Sequence, residues 1–141
     1  MQTSLRRSLT FLAFAGLSVS LGCESPAPPR QIPWVPVQIM DLSNVAGKWE
    51  GIMRRVPPAK RHDMVSMIIS PDGKFRFVSV RTIGVMSGEG SFALTNGKLT
   101  ASSERGTIEA TLFEAEGQRM LKAEGKASDG MEYNAEMTQV K

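Results

Sequence analysis

Between residues 47 and 140, apolar and polar side chains alternate with a period of two, and turn residues interrupt the pattern every ten to twelve positions. Successive side chains of an extended strand point to opposite faces, so this alternation describes strands with one face buried. Met131, Tyr133, Ala135 and Met137 alternate with Glu132, Asn134, Glu136 and Thr138. Ile108, Ala110 and Leu112 alternate with Thr107, Glu109 and Thr111. The interruptions are Pro71-Asp72-Gly73, Asn96-Gly97, Glu104-Arg105-Gly106, Glu116-Gly117 and Ser128-Asp129-Gly130. Asn-Gly supplies the positive φ angles of a tight hairpin, and glycine at the others lets a strand reverse.

The spacing predicts eight strands, at about 47–56, 63–70, 74–81, 85–95, 98–103, 107–114, 118–125 and 131–140. All but the first connection are short hairpins, so the strands form an antiparallel up-and-down meander. A sheet with one apolar face hides it by rolling up, and closure also removes aggregation-prone edges. The expected fold is therefore all-β, an eight-stranded barrel. Only Met64–Ile69 is apolar on both faces, which predicts a segment covering its outer side.

The stretch Asp41-Leu42-Ser43-Asn44-Val45-Ala46-Gly47-Lys48-Trp49 resembles the start of a lipocalin or related calycin. The resemblance implies a short helical turn before the first strand, with Leu42 and Val45 plugging one end of the barrel and Trp49 packing across it. Lipocalins also carry an arginine late in the barrel that stacks on this tryptophan. Here no arginine follows Arg119, and Lys141 is a poor substitute. The implied fold is a compact, lipocalin-like barrel spanning 41–141.

Upstream, Arg6 and Arg7 precede an uncharged, mostly apolar run from Leu9 to Leu21. That run is too short for a comfortable membrane-spanning helix and fits the core of an export signal. Val19-Ser20-Leu21-Gly22-Cys23 resembles a bacterial lipobox. The resemblance implies cleavage before Cys23 and diacylation of its thiol, the nucleophile of that reaction. More than one acyl chain holds a protein stably on a bilayer. Glu24 to Pro36 then holds five of the chain's eight prolines, which favours extended, semi-rigid chain. The expected organisation is a signal peptide over 1–22, a lipidated anchor and tether over 23–40, and the barrel. The expected location is the bacterial envelope. Glu24, where an aspartate would favour inner-membrane retention, points to the outer membrane facing the periplasm.

Of the 141 residues, the 119 from Cys23 onward keep 15 Lys and Arg against 14 Asp and Glu. A side-chain charge near +1 gives no global case for nucleic acid. One cysteine and one histidine exclude an intrachain disulfide and Cys/His metal sites. His62 beside Asp63 has no serine in a Gly-x-Ser-x-Gly context to serve. The expectation is a non-enzymatic protein without cofactor or metal.

Two binding functions are expected, as alternatives. In one, the barrel interior binds a small apolar or amphipathic ligand, lined by Trp49, Met53, Phe75, Phe77, Phe92, Tyr133 and Met137. Flexible thioethers at Met53, Met64 or Met67, Met86, Met131 and Met137 suit such a pocket, and small inward residues (Gly47, Gly51, Gly88, Gly90, Ala110, Ala135) leave it room. In the other, the barrel is filled and the protein is an inhibitor-like interaction module for an envelope protein. The basic segment from Arg54 to His62 adds a candidate contact with anionic surface through Arg54, Arg55, Lys60 and Arg61. Trp34 in the tether is a further candidate docking contact.

Overall fold

The computed structural model describes residues 33–57, 62–81 and 84–141. The signal segment, Cys23, most of the tether, Lys60 and Arg61 lie outside them. The described elements are strands β1 (Val35–Val37), β2 (Gly47–Val56), β3 (Asp63–Ile69), β4 (Lys74–Arg81), β5 (Gly84–Ser91), β6 (Ala93–Thr95), β7 (Lys98–Ser103), β8 (Gly106–Ala115), β9 (Gln118–Ala127) and β10 (Glu132–Val140), with one 3-10 turn, Leu42–Val45. The architecture is all-β and every pairing is antiparallel. Neighbours along the sheet run β5-β4-β3-β2-β10-β9-β8-β7-β6.

The sheet curls into an open half-barrel and does not close. The expected strand 85–95 breaks at Phe92. Before the break β5 pairs with β4, and after it β6 pairs with β7. Phe92 turns inward, its ring stacking on Phe75 with centroids 4.3 Å apart and 29° between planes. Its N–H donates to the carbonyl of Gly73 at 2.9 Å. The chain is thus drawn into the core at the point where a closing ladder between β5 and β7 would begin, and no such ladder forms.

Packed structure also begins earlier than the proline count suggests. β1 pairs with β8 in the register Val35↔Glu114, Pro36↔Phe113, Val37↔Leu112. β7 covers β8 only as far as Ala110, so the remaining edge of β8 is free to accept β1. β1 is an outermost strand, where a residue lacking an N–H is tolerated. Ile39 follows, buried, its N–H donating to Gly97 O at 2.9 Å.

The 3-10 turn forms where Asp41 accepts a hydrogen bond from Ser43 N at 2.7 Å, a side chain capping the backbone of a short helical segment. It delivers Val45 into the core, and the Trp49 Nε1–H donates to Val45 O at 2.9 Å. The core gathers Ile39, Val45, Trp49, Ile69, Phe75, Phe92, Leu99, Leu112, Leu121 and Met137 on the inner face of the sheet.

Candidate functional site

The seven residues expected to line a ligand pocket all lie on the inner face or its plug. Trp49, Met53, Phe75, Phe92 and Met137 are buried, and Phe77 and Tyr133 are half-buried. They are packed against one another and against Val65, Met67, Leu99 and Leu121. The small inward residues leave less room than their size suggests. A Cβ on Gly90 would come within 2.9 Å of Phe75 Cζ, and one on Gly88 within 2.5 Å of Phe77 Cε1. The two glycines are seats on which the Phe rings lie. Gly51 is occupied from the other side, since a Cβ there would run into the backbone of Glu136 and Met137 on β10. Ser79 is fully buried on the same face, and its hydroxyl has no hydrogen-bond partner among the described residues. Of the methionines, Met53, Met67 and Met137 are buried and Met86 and Met131 half-buried, but Met64 faces outward.

Sequence reasoning passed over Arg119. Its guanidinium carbon lies 6.0 Å from the centroid of the Trp49 ring, at the outer reach of a cation–π contact. Nε donates to Glu114 Oε1 at 3.1 Å and Nη1 to Gln139 Oε1 at 3.3 Å, while Gln139 Nε2 donates to Ala46 O at 3.1 Å. Arg119 therefore ties the β8–β9 hairpin, β10 and the approach to β2 over the indole. The arginine over the indole, expected late in the barrel, is Arg119 itself rather than a residue after it.

Concavities open on the surface of the described residues, and two of them bear on the site. The larger, about 770 Å³, crosses β6–β10 from Ser91 and Ala93 to Asn134, with Thr100, Ala101 and Ser102 and the charged Glu109, Glu124, Lys126 and Glu132 in its lining. Glu109 and Glu124 sit directly opposite one another on its floor. Lys98 Nζ lies 2.6 Å from Glu109 Oε1, and that hydrogen bond, with the charges of Glu109 and Glu124, holds the ammonium above its ordinary pKa. The second concavity, about 470 Å³, lies between Pro33, Val35 and the β8–β9 hairpin. Trp34 beside it is half-buried.

The outer face of β2–β5 is apolar and uncovered. Ile52 pairs with Met64, Met64 with Val80, and Val80 with Val85. These four form one row across four strands. Nothing described covers it, contrary to the expected covering segment: Met64 is 64% exposed, Val80 55%, Val85 68%, and Ile68 in a parallel row 54%. Arg54 and Arg55, half-buried, continue β2 beyond this row. Arg54 Nη1 is 3.8 Å from Glu136 Oε2. His62 is exposed.

Among the described residues, no three His, Cys, Asp or Glu side chains gather as a metal site requires, and no helix is long and apolar enough to cross a membrane. No family model matches the chain, and no curated protein resembles it significantly. What the structure defines is a class by architecture, an antiparallel half-barrel with a packed inner face, an open seam and an apolar outer flank.

Proposed function

We propose that the protein is a lipid-anchored, non-enzymatic envelope protein of the outer membrane that works through the outside of a filled half-barrel. The packed interior carries this reading. Trp49, Leu99 and Leu121 are 0% exposed, and the glycines that promised space are filled by rings or backbone. Burying such side chains against each other is what stabilises the fold, so a ligand could enter only by displacing them. The seam offers the partner site. Among the described residues, the outer edge of β5 and the Ala101–Ser103 edge of β7 have no strand neighbour, and unpaired backbone donors and acceptors are a template for an extended segment of another protein. Lipidation at Cys23 keeps the domain within reach of envelope partners.

One observation favours the alternative of a small ligand in the interior, the unpartnered hydroxyl of Ser79, since a buried polar group without a partner is costly. Native mass spectrometry of protein purified from its host separates the two readings. The expected result is protein carrying no non-covalent adduct, before and after incubation with fatty acids and phospholipids. A stoichiometric, lipid-sized adduct lost on Trp49→Ala would replace the proposal with the small-ligand reading.

A further inference from the structure

The row Ile52–Met64–Val80–Val85 combines with a feature of the whole chain. From Gly47 to Arg81, the span of β2, β3 and β4, there are eight Lys and Arg against three Asp and Glu. From Gly84 to Lys141 there are six against nine. The molecule is therefore divided, with a basic half and an acidic half. Of the exposed apolar side chains, Met64, Ile68, Val78 and Val80 lie on the basic half, and Val85 at the start of β5 pairs beside them. The row spans three inter-strand steps, about 14 Å at the usual strand spacing. Val78 and Ile68 extend it along the strands; Ser66 and Ser87 lie between the apolar side chains, and the same face carries Lys48, Arg54, Lys74 and Arg76 against Glu50 and Glu89.

An apolar patch bordered by excess cation, with little fixed hydrogen-bonding pattern at its centre, matches the interface of an anionic bilayer. Apolar side chains enter the headgroup boundary while Lys and Arg meet phosphate. A protein partner of fixed shape would be expected to call for more directional polar groups at the centre of the patch. We propose that the outer face of β2–β5 docks on a phospholipid surface bearing anionic headgroups. The inference rests on the envelope reading only for the bilayer being within reach. The binding is measured without an acyl chain, so either idea can fail while the other stands.

The test uses the chain from residue 23 onward with Cys23→Ser, made without its leader, and sedimentation with vesicles of phosphatidylcholine alone or with 30% phosphatidylglycerol, a probe composition of about the charge density of an anionic leaflet. Binding is expected on the mixed vesicles, at least tenfold weaker on neutral ones, and weakened several-fold by raising salt from about 0.05 to 0.5 M, as screening requires. Met64→Ser, Val80→Ser and Val85→Ser together are expected to lower it at least tenfold. Lys48→Gln, Arg54→Gln and Arg76→Gln together are expected to do the same. Glu104→Gln, in the exposed β7–β8 turn, is expected to leave it unchanged. Circular dichroism of each variant checks that the sheet is intact. Equal binding to neutral vesicles, or a triple-serine variant that binds as the parent does, overturns the proposal. So does sedimentation equilibrium showing a dimer that the triple-serine variant cannot form, because the row would then be covered by a second copy.

Discussion

Trp49 and Arg119 show what a single residue does in this fold. The indole is wholly buried, its N–H is satisfied by Val45 O, and its face carries the guanidinium of Arg119. Arg119 is 27% exposed at its side chain and makes two hydrogen bonds in addition. Its planar fork is what allows one cation to reach Glu114 and Gln139 while lying over a ring, and lysine cannot reproduce that geometry. Arg119→Ala is expected to lower stability by about 1–2 kcal/mol, the sum of a partly exposed cation–π contact and modest net hydrogen bonds. Arg119→Lys is expected to recover less than half of that. Urea denaturation followed by Trp49 fluorescence measures both. A lysine variant as stable as the parent would show that charge alone suffices. This pairing was not legible in the sequence. Trp49 was recognisable from Gly47-x-Trp49, but its partner comes from β9 through a contact that no local pattern encodes.

At the scale of elements, hairpin order was readable and edges were not. The strands from Gly47 to Arg81 and from Lys98 to Val140 follow the alternation closely, because in a meander each pairing is set by the turn next to it. β1 escaped because its three residues include Pro36, and prolines argue against strand everywhere but at an edge. Whether an edge is available depends on where β7 stops along β8, which is a tertiary fact. Removing everything before Asp41 is expected to cost about 2–4 kcal/mol, since it exposes the Ile39 site and Leu112 beneath β1. Hydrogen exchange is expected to quicken at Leu112–Glu114 and Gly97 while β3 and β4 stay protected. Unchanged stability would mean that β1 adds nothing to the fold. The Asp41 cap follows the same logic of an edge. Its hydrogen bonds from Ser43 hold the carboxyl below its usual pKa. A lowered acid pKa contributes stability at neutral pH and loses it as pH falls through the carboxylate range.

For the whole molecule, the balance of charge near zero conceals its distribution. The net value says nothing about nucleic acid or membrane, whereas the division between β2–β4 and the remainder gives the protein a direction. A lipid tail and a docking face would act together, each making the other's contact local and therefore more probable. The tail is testable alone. The intact mass of the membrane-extracted protein is expected to equal residues 23–141 plus a diacylglyceryl group, with or without a further acyl chain, and Cys23→Ser is expected to abolish both the added mass and the cleavage. A mature protein starting elsewhere, without acyl mass, would remove the anchor from the proposal while leaving the vesicle measurement to stand.

The sequence alone determined that the chain would be a meander of short antiparallel strands with one apolar face and a tryptophan plug, because alternation and turn residues act over a few positions and need no distant partner. Closure was different. Whether the first and last strands of a curled sheet meet depends on the summed twist and tilt of all of them, and on Phe92 being drawn toward Phe75 instead of staying in a ladder. The same holds for the exposed row on β2–β5. Each member is an ordinary strand residue, and only register across four strands makes them a surface.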